Sequence, residues 1–260
     1  MASRNLSEAA KTFRDLHRPG RPLVLANVYD IPSANVVARL PSCHALATAS
    51  YSVALAAGTT DDELSFEQNI VAARQIGKVA ADHDKPLTID LQDGYGDRLA
   101  DAVQQVIDAG AVGINLEDYD KEAKRFYSVD EAAARVRTAV QVARDAGLPE
   151  FVVNARCDML VHGGEISETV ERGKKYLEAG ATTVFVWGGR KRGVSRAEVE
   201  QLVQAFDGRL SVSLKWEDGL TVGELAAMGV ARISVGPAIM LFAMAEYERR
   251  AKLLLDQAQY

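Results

Sequence analysis

Eight times along 260 residues an apolar run gives way to a polar knot and then to a helix-patterned stretch. That alternation constrains the fold more than any single motif. An unbroken apolar run suits a strand covered on both faces of a parallel sheet. The runs read as strands are 23–28, 45–50, 86–91, 112–116, 151–155, 182–186, 210–214 and 232–235. Helices fill the intervals, and Ser65 followed by Gln68 forms a capping box ahead of the helix expected over 66–82. Gly110, Gly147, Gly180 and Gly229 stand where helices end before the next strand.

The fold class expected is α/β, a single (β/α)8 TIM-type barrel over residues 1–260, near the ~250 residues typical of that fold. An open doubly wound sheet is the alternative, but no GxGxxG or Walker sequence follows the first strand. A net charge of −6, with no basic block beyond Arg190-Lys191-Arg192, argues against nucleic acid or an anionic membrane as partner. The longest apolar runs are too short to span a bilayer, and residues 7–16 pattern as an amphipathic helix rather than a leader. Two cysteines, Cys43 and Cys157, give no metal-binding spacing and fit a reducing, cytoplasmic setting.

In a closed barrel all strand C-termini open on one face, where the chemistry is found. Four knots meet there: Asp61-Asp62, the stretch from Asp90 to Gly96, Asn115 to Asp118, and Asn154 to Asp158. Asp90 and Glu117 end neighbouring strands, and hard oxygen donors without competing nitrogen or sulfur favour Mg²⁺ or Mn²⁺. Asp61, Gln92, Asp93 and Asp118 can form an outer shell around the ion's waters. Gly94 and Gly96 allow a tight turn close to a ligand. Arg156 ends an apolar strand and must meet a carboxylate, from Asp158, Glu117 or a substrate. Cys157 has no base beside it and reads as a small buried side chain rather than a nucleophile. His17, His44, His83 and His162 are scattered, which excludes a zinc pattern.

These knots, with Asn27-Val28-Tyr29-Asp30, Ala47-Thr48-Ala49-Ser50 and the stretch from Gly229 to Gly236, resemble the isocitrate lyase/phosphoenolpyruvate mutase superfamily over nearly the whole chain. The resemblance implies a Mg²⁺-binding barrel acting on a small anionic carboxylate, and a homotetramer. Carried over, it makes Asp90 the direct metal ligand and places Glu117 and Asp61 behind metal-bound water. It gives Arg156 the substrate oxygen, and the backbone of Ala49-Ser50-Tyr51 the substrate carboxylate. Gln92 stands where the family commonly has a second acid, so it is expected as a neutral outer ligand. The lyase Lys-Lys/Arg-Cys-Gly-His signature is missing from 119–127, a stretch expected to be a mobile lid offering Lys121, Lys124 and Arg125. Trp187 and Ser213 stand where relatives place a His or Glu and an Asn.

The expected function is therefore Mg²⁺-dependent C–C bond cleavage, by a lyase or hydrolase, in a 2-oxo or 2-hydroxy carboxylate through an enolate-like species. Arg156 and Glu117 are the catalytic candidates. Ser50, Tyr51, Asp90, Arg156, Trp187 and Ser213 are candidates for binding substrate, and Asp90, Asp61, Gln92 and Glu117 for holding the metal. Rival readings are an aldol-type transferase or P–C bond enzyme on the same barrel, and a non-catalytic 2-oxo-acid binding protein. The C-terminal helix, expected over 239–258, carries two apolar stripes and is the expected oligomer contact.

Overall fold

The computed structural model describes residues 5–257. Its central sheet is wholly parallel. The barrel strands are β1 (Leu23–Leu25), β2 (Asn27–Val28), β3 (Leu46–Thr48), β4 (Leu87–Asp90), β5 (Gly113–Glu117), β8 (Val152–Cys157), β9 (Thr183–Val186), β10 (Leu210–Ser213) and β11 (Arg232–Ser234). Between β5 and β8 lies a small antiparallel hairpin, β6 (Tyr119–Asp120) with β7 (Arg125–Phe126). β1 pairs with β11 while β2 pairs with β3. Only Ala26 separates β1 from β2, so they are two halves of one stave, and the sheet closes as the expected eightfold barrel.

Helices α2 (Ile31–Ala38), α3 (Ser50–Ala56), α4 (Phe66–Asp82), α5 (Leu99–Asp108), α6 (Val129–Asp145), α7 (Ile166–Glu178), α8 (Gly189–Arg192), α9 (Arg196–Ala205), α10 (Val222–Met228) and α11 (Ala238–Leu255) follow the strands. The expected capping box is present: Ser65 Oγ accepts the Gln68 N–H while Gln68 Oε1 accepts the Ser65 N–H. Outward strand residues such as Ile89, Ile114 and Val184 pack against these helices in one main core. A buried Leu, Ile or Phe there contributes roughly 1.5–3 kcal/mol relative to exposure.

The inside of the barrel is filled differently. Helix α1 (Leu6–Asp15) pushes Phe13 into the N-terminal mouth, where it meets Leu23, Leu25, Ala45 and Ala47. Gly113 makes room for it, since a Cβ at that position would come within 2.8 Å of the Phe13 ring and 2.9 Å of the Val152 carbonyl oxygen. Above Phe13 the interior turns polar, with Asn115, Asn154, Thr183 and Arg232 all buried. That polar column stands directly beneath the strand ends.

Strand β8 runs two residues past the expected end and includes Arg156 and Cys157, which pair with Phe185 and Val186. The last helix begins one residue early and ends at Leu255; the expected end at Ala258 lies outside the described residues. Among the described residues no helix is long and apolar enough to cross a membrane.

Candidate active site

Register builds the site in two layers. Asp90, Asn115, Asn154 and Thr183 are successive partners across β4, β5, β8 and β9. Two residues further along, Glu117, Arg156 and Phe185 form the next row. Inward-pointing side chains of the same parity therefore stack, and the upper row lies at the open mouth.

Asp90 is buried and held at both oxygens. Oδ2 accepts the Ser50 N–H at 2.9 Å, and Oδ1 faces the Asn115 amide at 3.4 Å. Its own N–H donates to Thr48 Oγ1 at 2.8 Å. The Ser50 amide, expected at a substrate carboxylate, is thus spent on Asp90, and the side chain of Tyr51 is exposed. Asp61, in the loop after α3, lies beside Ser50 and Gln92. Burial first, and then the neighbouring Asp90 carboxylate, pushes its acid above the ordinary range.

Gln92 ties parts of the site together. Its Nε2 donates to the Asp61 backbone oxygen at 2.8 Å and to Oδ1 at 3.1 Å, while its Oε1 accepts the Lys121 ammonium at 2.6 Å. Gln92 and Tyr95 both take left-handed backbone conformations, with φ 53° and 59°. Such geometry costs about 1–2 kcal/mol per non-glycine residue and persists here because the surrounding hydrogen bonds hold it. The adjoining Gly94 also has positive φ, and a Cβ there would strike Leu99 at 2.5 Å.

Arg156 is clamped. Asp158 accepts its Nε and Nη2 hydrogens at 2.7 and 2.9 Å, Glu117 accepts from Nη1, and the guanidinium carbon lies 4.3 Å over the Trp187 ring. Both protein acids weighed in the sequence as partners are therefore engaged. Burial opposes the charge, but Asp158 and Glu117 outweigh it and hold the group firmly cationic. Burial also pushes the Glu117 carboxyl well above its usual range, against the pull of Arg156, with Asp158, Asp90 and Asp61 adding to the rise. Ser213 ends β10 and pairs with Ser234, on the part of the wall beyond β9.

Other acids turn away. Asp93 accepts the Tyr95 N–H and the Tyr127 hydroxyl, and Asp118 accepts from Tyr176, Arg172 and the Asp158 N–H. Cys157 faces the helical layer, opposite to Arg156, and burial pushes its thiol well above the usual range. The loop expected as a lid is the β6–β7 hairpin. Lys124 pairs with Asp62 and Arg125 with Glu131 at the surface, whereas Lys121 reaches inward to Gln92 and to the Leu64 carbonyl.

Sequence reading passed over Asn69 as a site group and gave Lys121 to the lid, whereas Lys121 is tied to Gln92. Asn69 donates to the Asp90 carbonyl at 3.0 Å and to the Tyr95 hydroxyl at 2.9 Å. Its one signal was an amide in the apolar face of α4, beside Ile70.

Among the described residues, no three of the acids converge into a ready-made metal cluster. A small hard cation that keeps most of its waters does not need one. Beyond burial, which acts first, Asp90 raises the pKa of Asp61, and Asp158, Asp90 and Asp61 raise that of Glu117, an excess of negative charge that a divalent cation would relieve. The oxygen donor set fits Mg²⁺ or Mn²⁺.

The family model for phosphoenolpyruvate phosphomutase matches residues 13–255. An uncharacterized protein of Mycobacterium tuberculosis is 31% identical over 228 residues, spanning 86% of this chain and 81% of its own. A Burkholderia cenocepacia structure whose assignment as a phosphonomutase is provisional superposes with a TM-score of 0.86 at 36% identity, covering 96% of this chain and 99% of that one. A structure of 2,3-dimethylmalate lyase, a PEP mutase/isocitrate lyase superfamily member, gives 0.83 at 26% identity over 96% of this chain and 85% of its own. With the family model matching most of the chain and the fold in agreement, this chain belongs to the phosphoenolpyruvate phosphomutase family of the PEP mutase/isocitrate lyase superfamily.

Proposed function

We propose that this protein is a Mg²⁺-dependent enzyme that cleaves a C–C bond in a small 2-oxo or 2-hydroxy carboxylate, as a lyase or hydrolase. The observation that carries the reading is the meeting of Asp61, Asp90 and Glu117 with the clamped Arg156 at one barrel mouth. Asp90 would hold the ion directly, with Glu117 and Asp61 acting through its waters and Gln92 bracing Asp61. When bound, the ion supplies positive charge that draws the carboxylate and 2-oxygen of the substrate together.

The chain's own groups do the rest. Arg156 presents its remaining N–H groups to the substrate oxygen on which negative charge grows. Such preorganised stabilisation is often the largest catalytic contribution. The Asp158 fork and the Trp187 face keep the guanidinium from swinging away, so little reorganisation is needed. Glu117, its pKa raised by burial, can hold a proton beside that oxygen and return it. Trp187 and Ser213 would line the substrate wall, and the backbone at Tyr51, beside the Ser50 amide that Asp90 holds, would face the substrate carboxylate.

The likeness to a lyase acting on 2,3-dimethylmalate supports C–C cleavage. The phosphomutase family match favours a second reading, P–C bond chemistry on the same scaffold. Cys43 and Cys157, both free and buried, fit a cytoplasmic setting.

Turnover of a panel of 2-oxo acids, 2-hydroxy acids and phosphonates, with and without Mg²⁺, tests the choice. Cleavage of a 2-hydroxy or 2-oxo acid only in the presence of metal is the expected result, and turnover of phosphonates alone would select the second reading. Mg²⁺ should also raise the melting temperature of the wild type by mass action but not that of Asp90→Ala. An unchanged metal titration in Asp90→Ala would remove Asp90 from the metal site.

A further inference from the structure

Arg232 is 1% exposed, inside the barrel, and its hydrogen bonds go to no carboxylate. Nη2 donates to Asn115 Oδ1 at 3.0 Å, Nη1 lies 3.4 Å from His17 Nε2, and Nε has no partner. A guanidinium stripped of water with no carboxylate in hydrogen-bond reach, only the more distant charge of Asp90, is costly, so a fold retains one where its charge is used. Burial pushes its pKa down to about 9, which leaves it a cation at neutral pH. His17 does not compete for the charge. Its Nδ1 lies 2.8 Å from the Phe13 carbonyl, which can only accept, so Nδ1 carries the proton and Nε2 offers a lone pair to Arg232.

The next links all point one way. Thr183 Oγ1 donates to Asn154 Oδ1 at 2.6 Å, Asn154 Nδ2 to Asn115 Oδ1 at 2.8 Å, and Asn115 Nδ2 faces Asp90 Oδ1 at 3.4 Å. These four residues are the in-register row across β9, β8, β5 and β4. Two donors, Arg232 and Asn154, therefore converge on the one Asn115 oxygen. Turning that amide over would set its NH₂ against both of them, so only its NH₂ is left for Asp90.

We infer that Arg232 is a positioning residue that acts through the Asn115 amide to fix the Asp90 carboxylate in the orientation the site uses. The inference rests on the proposed role of Asp90 as the central acid. The buried guanidinium polarises Asn115, and the directed row aligns every amide and hydroxyl dipole with its positive end toward Asp90. It reaches the site from the opposite wall of the barrel, behind the groups that face substrate.

Ser50 reports on this without metal or substrate, because its N–H donates to the other Asp90 oxygen. Arg232→Met should quicken amide exchange at Ser50 about tenfold, the scale of one charge-assisted hydrogen bond, while Val184 on β9 changes little. Arg232→Lys, which keeps a cation and a donor, should restore most of the protection. Asn115→Ala should give the same local quickening, and adding it to Arg232→Met should change nothing more, since two groups acting in series are not additive. Where Arg232→Met does not fold, Arg232→Gln, which keeps a donor without the charge, takes its place beside Asn115→Ala and should quicken Ser50 exchange less than Asn115→Ala does. Unchanged Ser50 exchange in these variants would overturn the inference, as would quickening spread evenly through the barrel and not restored by lysine. None of these outcomes depends on which substrate is turned over, so the proposed reaction can fail while the positioning role stands.

Discussion

At the scale of single residues, the sharpest contrast lies between two neighbours on β8. Arg156 points into the barrel and Cys157 into the helical layer, because successive side chains of a strand face opposite sides. Arg156 holds two acids and an indole face with a planar fork that lysine lacks. Arg156→Lys is therefore expected to cut kcat/KM by about 100-fold, the scale of one lost charge-stabilising donor. The melting temperature should move little, because the positive charge still answers Glu117 and Asp158. Cys157→Ser is expected to retain most activity, since the buried thiol has its pKa pushed up by burial and then by Asp118, and does not form a ready thiolate. Steady-state kinetics on the two folded variants decides the matter. An inactive Cys157→Ser beside a near-normal Arg156→Lys would exchange their roles.

At the scale of elements, what the sequence reveals follows how local the signal is. The box of Ser65 and Gln68 and the apolar run 210–214 are visible because the physics acts within a few residues. The β6–β7 hairpin was not visible, since strands of two residues carry no period, and tertiary contacts hold it. Tyr119 stacks on His162 at 4.3 Å, and Lys121 reaches Gln92 across the mouth. The interior row was equally hidden, because Asn115 and Asn154 read as strand-end groups until register made them partners. The hairpin's surface ion pair, Lys124 with Asp62, is exposed and worth at most about 1 kcal/mol, so it does not lock the loop. Lys121 is the stronger tie, with two hydrogen bonds and a ring face. Lys121→Met should quicken amide exchange across residues 119–127 by several-fold, while Lys124→Ala should leave it nearly unchanged. Equal exchange in both variants would show that the aromatic stack with His162 holds the hairpin instead.

At the scale of the whole molecule, α11 stands out because it leaves the barrel rather than covering it. Met240 is its only buried residue; Phe242 and Met244 are about half exposed, and Tyr247 and Leu254 are 73% and 71% exposed. Val24, the outward residue of β1 between the inward Leu23 and Leu25, is itself 44% exposed on the stave that pairs with the strand preceding α11. In a barrel of this kind each outward strand residue needs a covering helix, and each amphipathic helix needs a surface to cover. Here the helix and the bare stave do not satisfy each other within one chain, and so many large apolar side chains left exposed on one helix mark a protein contact. We propose that a second copy supplies the missing partner and that pairs assemble further into a homotetramer. Sedimentation at micromolar concentration should then give a mass near four chains of 28.1 kDa. Charge at the centre of the face, as in Phe242→Glu with Leu254→Glu, should move the equilibrium toward single chains, because an unpaired carboxylate cannot be buried cheaply. The Trp216 ring, 5.6 Å from Phe242 and itself exposed, gives a local signal: its fluorescence should shift to the red when the assembly dissociates. A wild-type mass of one chain at that concentration would show that this face serves some other partner or none.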